Sequence, residues 1–157
     1  MVWRRARRLS AIAIAAASVG AAQAGGPDIR SCEFTAKAGC VSGSVRVTLA
    51  GGTVQRLETN VIWCSLPGHL DFTCTIDSSR GDEDSQWSDE AGATLIANRS
   101  PFNPVAPDRV KVTIGRDVSI DFSEAQSLGR CGAGAELPRA VVVPAHDKTC
   151  RVWMSPE

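Results

Sequence analysis

The residue types able to do chemistry are few in this chain: two histidines, a dense run of carboxylates and six cysteines. His69 stands two residues before Asp71, with Ser65 close by, and together they supply the types a nucleophilic site uses. Such a site also needs a positioned base and a cluster of oxyanion donors, and no strained nucleophile elbow accompanies these residues. They read as a turn histidine beside a solvated aspartate, and His146-Asp147, after Pro144, reads the same way. As metal ligands the two histidines lack a third partner. No cofactor and no metal is expected.

The carboxylates concentrate in DSSRGDEDSQWSDE, residues 77–90, which hold six acids and one tryptophan. Two flanking acids suffice for glycoside hydrolysis, but only at a fixed separation that a solvated loop does not set. Asp82, Asp84 and Gln86 take the first, third and fifth places of an EF-type calcium loop. Its sixth place needs glycine and holds Trp87, and its twelfth needs glutamate and holds Ala93, so the pattern fails twice. Arg80-Gly81-Asp82 spells an adhesion tripeptide, which this composition produces by chance about 0.08 times per chain. Trp87 either pins the segment to the core or offers an aromatic anchor, and pinning is the commoner use. Trp63 is expected in the core. The candidate partner-binding residues are therefore Trp87, Arg80, Asp82, Asp84 and Asp89.

Residues 1–24 read as a cleaved signal peptide. Four arginines precede an apolar run from Leu9 to Ala22, and Ala22-Gln23-Ala24 fits the small-x-small cleavage rule. Ser10-Ala11 stands where a twin-arginine signal carries a bulky apolar pair. The run is shorter than a membrane span. Residues 25–157 then form one domain carrying 13 basic against 17 acidic groups, a net of −4. That balance argues against nucleic acid, whose binding depends on neutralising phosphates. Cys32, Cys40, Cys64, Cys74, Cys131 and Cys150 all fall in this part, as expected of three disulfides formed in a periplasmic or extracellular compartment. Spacing suggests neighbour pairing: Cys32–Cys40, Cys64–Cys74 and Cys131–Cys150. There is no CxxC pair, nucleophile elbow or phosphate-cradling loop.

Period-two alternation sets the fold class. It runs through Val45-Val47-Leu49 before a Gly51-Gly52 turn, then Leu70-Phe72-Cys74-Ile76, Val110-Val112-Ile114, Val118-Ile120-Phe122 and Cys150-Val152-Met154. The last leaves Trp153 on the opposite face. Ala140–Val143 is continuously apolar, like a strand covered on both faces. An all-β antiparallel sandwich or barrel of short strands follows, with at most one helical turn at Ser123-Glu124-Ala125-Gln126. A Pro67–His69 hairpin loop predicts that Ile62 faces Cys74 and Cys64 faces Phe72. Residues 77–92 and 99–108 are expected to be long connections.

The expected function is that of a small exported binding or cell-envelope-associated module, non-catalytic, acting through the acidic 77–92 loop or a sheet edge. Its partner would be another envelope or secreted protein, or a glycan. The alternative is a small periplasmic hydrolase using loop carboxylates or the His69/Asp71 pair.

Overall fold

A computed structural model describes residues 26–36, 40–64, 72–99, 107–125, 131 and 135–155. The signal segment, Ser65, the Leu66–His69 hairpin loop, Asp71, Pro101 and Pro104 lie outside the described residues, as does Gln126.

Ten strands build two antiparallel sheets. The first holds β1 (Asp28–Ala36), β2 (Val41–Ala50), β3 (Thr53–Trp63) and β4 (Phe72–Ser79), in that order. The second holds β5 (Ser85–Glu90), β6 (Ala93–Asn98), β7 (Asp108–Ile114), β8 (Val118–Glu124), β9 (Ala140–Val143) and β10 (Arg151–Trp153). Every neighbour is consecutive in sequence, so the chain changes sheet only between β4 and β5. Alternation explains the inner faces. Val45, Val47 and Leu49 on β2 and Val54, Leu57 and Val61 on β3 are buried. They meet Val110, Val112, Val118, Ile120 and Phe122 of the second sheet in one core.

The β2–β3 turn is the predicted Gly51-Gly52 pair, with φ of 58° and 78°. Two successive left-handed residues match the right-handed twist of the flanking strands, and glycine takes them without steric cost. A bulge follows at Gln55, since Thr48 faces Arg56 while Leu49 faces Val54. That extra residue re-sets the strand's register and turns backbone carbonyls out of the ladder. Gly43 matters for a different reason. A Cβ there would sit 2.7 Å from the Phe34 ring and 2.5 Å from the Asn60 carbonyl, because Phe34 lies directly across β1–β2 from it.

The cysteine pairing differs from the neighbour scheme: the bonds are Cys32–Cys150, Cys40–Cys64 and Cys74–Cys131. Cys32 sits mid-strand facing the core, out of reach of Cys40 beyond the strand's end. The β2–β3 register instead sets Cys40 opposite Cys64, whose N–H bonds to the Cys40 carbonyl at 2.8 Å. The hairpin register differs too, with Ile62 facing Thr73 and Val61 facing Cys74. Leu57, Thr59 and Val61 form the inner row, so Ile62 turns outward and stays exposed. Ser123 and Glu124 end β8 rather than starting a helix, and Ala140 and Val142 are only half-buried.

The first and last strands also meet. Glu33 and Thr149 form a parallel bridge, with Glu33 N–H to Lys148 O and Cys150 N–H to Glu33 O both at 2.8 Å. Cys32–Cys150 locks that contact and closes a ring of sequence separation 118, which the chain-entropy account values at about 5 kcal/mol.

Two substitutions test the packing. Gly43→Ala should lower unfolding free energy by about 1–3 kcal/mol, the usual cost of overpacking. Thr59 is buried with its hydroxyl unpartnered. Thr59→Val, which keeps the shape and deletes that group, should raise stability by about 1 kcal/mol in urea titrations.

Candidate functional site

The acidic stretch is a structured corner between the sheets rather than a long loop. Residues 77–79 complete β4, 80–84 turn, and 85–90 form β5, the terminal strand of the second sheet. The turn is Arg80-Gly81-Asp82 itself. Gly81 has φ of 98°, a conformation that favours glycine. Asp82 Oδ2 accepts the Ser79 N–H at 2.8 Å, and the Asp82 carbonyl accepts the Ser85 N–H at 3.2 Å. The Asp82 side chain therefore has a local partner that shapes the bend.

Arg80 crosses between the sheets. Its backbone N–H extends the β3–β4 ladder to Gln55 O at 2.8 Å, and its Nε reaches Val54 O at 3.1 Å, so it binds two successive carbonyls beside the β3 bulge. Its Nη2 then reaches Asp89 Oδ1 on β5 at 2.8 Å. The guanidinium lies 5.2 Å from the centroid of the Trp87 ring, within cation–π range.

Trp87 is half-buried against the core, faces Ile96 across the ladder, and donates its Nε1–H to Ser85 Oγ at 2.8 Å. Thr94 also donates to Asp89 Oδ1, at 2.8 Å. The hydrogen bond from Arg80, then that from Thr94, hold the Asp89 carboxyl below its ordinary range. Asp84 projects outward with its side chain 81 % exposed, 3.4 Å from Arg99 Nη1. Glu83 is exposed beside it, and Glu90 is exposed at the far end of β5.

Beneath the turn, Ser78 donates to Asn98 Oδ1 at 2.8 Å in a buried contact, and Asn98 Nδ2 has no partner. A cavity of about 140 Å³ borders these two and Asp77, Asp82, Asp84 and Ser85. Asp77 is held bidentate by Arg56, at 3.1 and 2.9 Å. Among the described residues, no trio of His, Cys, Asp or Glu stands close enough to hold a metal ion. The downward shift at Asp89 is the opposite of what an acid catalyst needs at neutral pH. At Asp121 partial burial works upward, but hydrogen bonds from Ser123 together with the charges of Arg139 and Lys111 outweigh it, and the shift is again downward.

The structure thus brings Trp87, Arg80 and Asp89 into one contact network, while Asp82 shapes the turn and Asp84 stands apart. His146 is exposed and Asp147 caps the Lys148 and Thr149 amides. His69 and Asp71 fall outside the described residues. Trp63 is half-buried, with its Nε1–H bonded to Glu136 O at 2.8 Å, and Trp153 is exposed.

Asn98, Thr94 and the Gln55 bulge were not anticipated. An Ala91-Gly92 hairpin would have set Asp89 opposite Thr94 and Ser85 opposite Asn98, and the two strands pair that way. A second concavity, about 700 Å³, lies on the outer face of the first sheet and is lined by Ser42, Ser44, Asn60 and Ile62 with Glu33 and Lys148. Among the described residues, no helix is long and apolar enough to cross a membrane. No known protein family, curated protein or solved structure matches this chain.

Arg80→Ala should cost about 2 kcal/mol of unfolding free energy, since Val54 O loses a buried donor and Trp87 its cation. Arg80→Lys should recover little of it, because one ammonium does not span the same partners. The carboxyl of Asp89 titrates lower in the folded chain than in the unfolded one. Its contribution is therefore full above the ordinary carboxylate range and is lost as pH falls through the depressed value. Asp89→Asn should flatten the acid limb of a stability–pH profile.

Proposed function

We propose that this chain is an exported, non-catalytic binding module that engages another envelope or secreted protein through the corner at 77–92. Three disulfides suit an oxidising compartment, and the Arg4-to-Ala24 pattern supplies the export signal. One observation carries the reading: the acidic segment is held rigid from inside while its outer side is left for display. Arg80 holds β5 to the first sheet, and among the described residues β5 ends its own sheet with no strand beyond it. A preformed surface loses little conformational entropy on binding, which is what a recognition element needs.

In this reading Arg80 and Trp87 hold the surface in shape, and Asp82, Asp84 and Asp89 give it its charge. A glycan in the hydroxyl-rich groove of the first sheet is a weaker alternative. Ile62 is the one exposed apolar side chain among its lining residues, and no exposed aromatic ring stands there for a sugar to stack on.

A photoreactive residue at Ser88, exposed on β5, should capture a protein partner in envelope or secreted fractions. The same probe at Ser119, exposed on β8 away from the corner, should not. Equal labelling at both positions, or none at Ser88, would overturn the reading.

A further inference from the structure

The open edge of β5 has a definite polarity of backbone groups. Arg99 N–H bonds to the Asp84 carbonyl at 2.8 Å, one position before β5 begins. Antiparallel ladders alternate bonded and non-bonded pairs in steps of two. Gln86, Ser88 and Glu90 therefore direct their N–H and C=O groups to β6, opposite Ala97, Leu95 and Ala93. Trp87 and Asp89 direct theirs to the open side. Charge frames this edge at both ends. Glu83 and Asp84 precede the strand, Asp89 and Glu90 close it, and the centre, Gln86-Trp87-Ser88, carries no charge of its own. Arg99 engages Asp84 and Arg80 engages Asp89, which leaves Glu83 and Glu90 as the terminal acids without an arginine among the described residues.

We propose that β5 accepts an extended peptide segment as a seventh strand, basic at both ends and uncharged in the middle. This rests on the binding reading above and names the partner's chemistry. Main-chain bonds to Trp87 and Asp89 supply affinity, and lysine or arginine opposite Glu83 and Glu90, the terminal acids that no described arginine engages, supplies selectivity. A second copy of this chain is disfavoured at the same edge, because β5 against β5 sets acid beside acid. The shortness of the strand also guards the edge against indiscriminate pairing.

Amide hydrogen exchange on the full exported chain tests the inference. The probe is a peptide with two lysines at each end of a Thr-Val-Thr-Val centre, and the control replaces the lysines with glutamates. At millimolar lysine peptide, exchange at Trp87 and Asp89 should slow at least tenfold, while Gln86 and Ser88, already bonded to β6, should change little. The glutamate peptide should protect neither. The exposed pair Glu83→Lys/Glu90→Lys should weaken the lysine peptide roughly tenfold without altering the melting curve.

Unchanged exchange at Trp87 and Asp89 overturns strand addition. If Ser88 still captures a protein, the binding reading survives that result. Equal protection by both peptides overturns the charge argument. Loss of capture at Ser88 with edge protection intact would instead remove the partner assignment.

Discussion

A bulge in a β-strand disrupts its ladder locally, and beside this one a single arginine ties the strand to the other sheet. Beside the register shift in β3, Arg80 bonds to two successive carbonyls: its backbone N–H extends the β3–β4 ladder to Gln55 O, and its Nε reaches Val54 O. The guanidinium goes on to Asp89 and lies over Trp87. One residue thus joins the bulge, the inter-sheet corner and the terminal strand. Without Arg80, β5 would lose its side-chain tie to the first sheet's β3. The placement of the acidic surface follows from this clamp, because Asp82, Glu83 and Asp84 lie in the turn it anchors.

At the two sides of the sandwich the sheets are tied to each other by different means. At one side the chain passes directly from β4 to β5, secured by Arg80 and by the buried Ser78–Asn98 contact. At the other, β1 meets the segment leading into β10 through a parallel bridge, two backbone bonds and the Cys32–Cys150 bond. Arg30 adds a long-range tie there, donating to the Arg116 carbonyl at 3.0 Å. An up-and-down topology has only local connections, so contacts between its first and last strands are the ones with the largest closure entropy. The covalent bond stands at that point.

The strands were legible because alternation is a local signal, and Val45-Val47-Leu49 or Val118-Ile120-Phe122 admit few other readings. Register was less so. The sequence around Ile62 offers Ile62 or Val61 to the core, and the choice depends on the bulge at Gln55, which no turn residue announces. The same bulge decides the cysteines. A plain Gly51-Gly52 hairpin sets position 39 opposite Cys64, and one extra residue on β3 sets Cys40 there instead. Cys32–Cys150 is legible only once the two chain segments are known to lie side by side. At the candidate site the composition of 77–90 identified the region, and Trp87 as a pin agrees with its half-buried position. The segment's strand character was hidden, since Ser85–Glu90 alternates polar with polar apart from one tryptophan. The role of Arg80 was hidden too, because its partners lie 26 and nine residues away.

The Cys32–Cys150 bond also has a mechanical meaning. A tension applied through the segments on either side of residues 32 and 150 passes from one sulfur to the other. The ladders between them carry none of that load. Hydrogen bonds in a sheet yield to force far more readily than a covalent bond does, so a pull can peel away the start of β1 and the short β10, while everything between residues 32 and 150 stays unstretched.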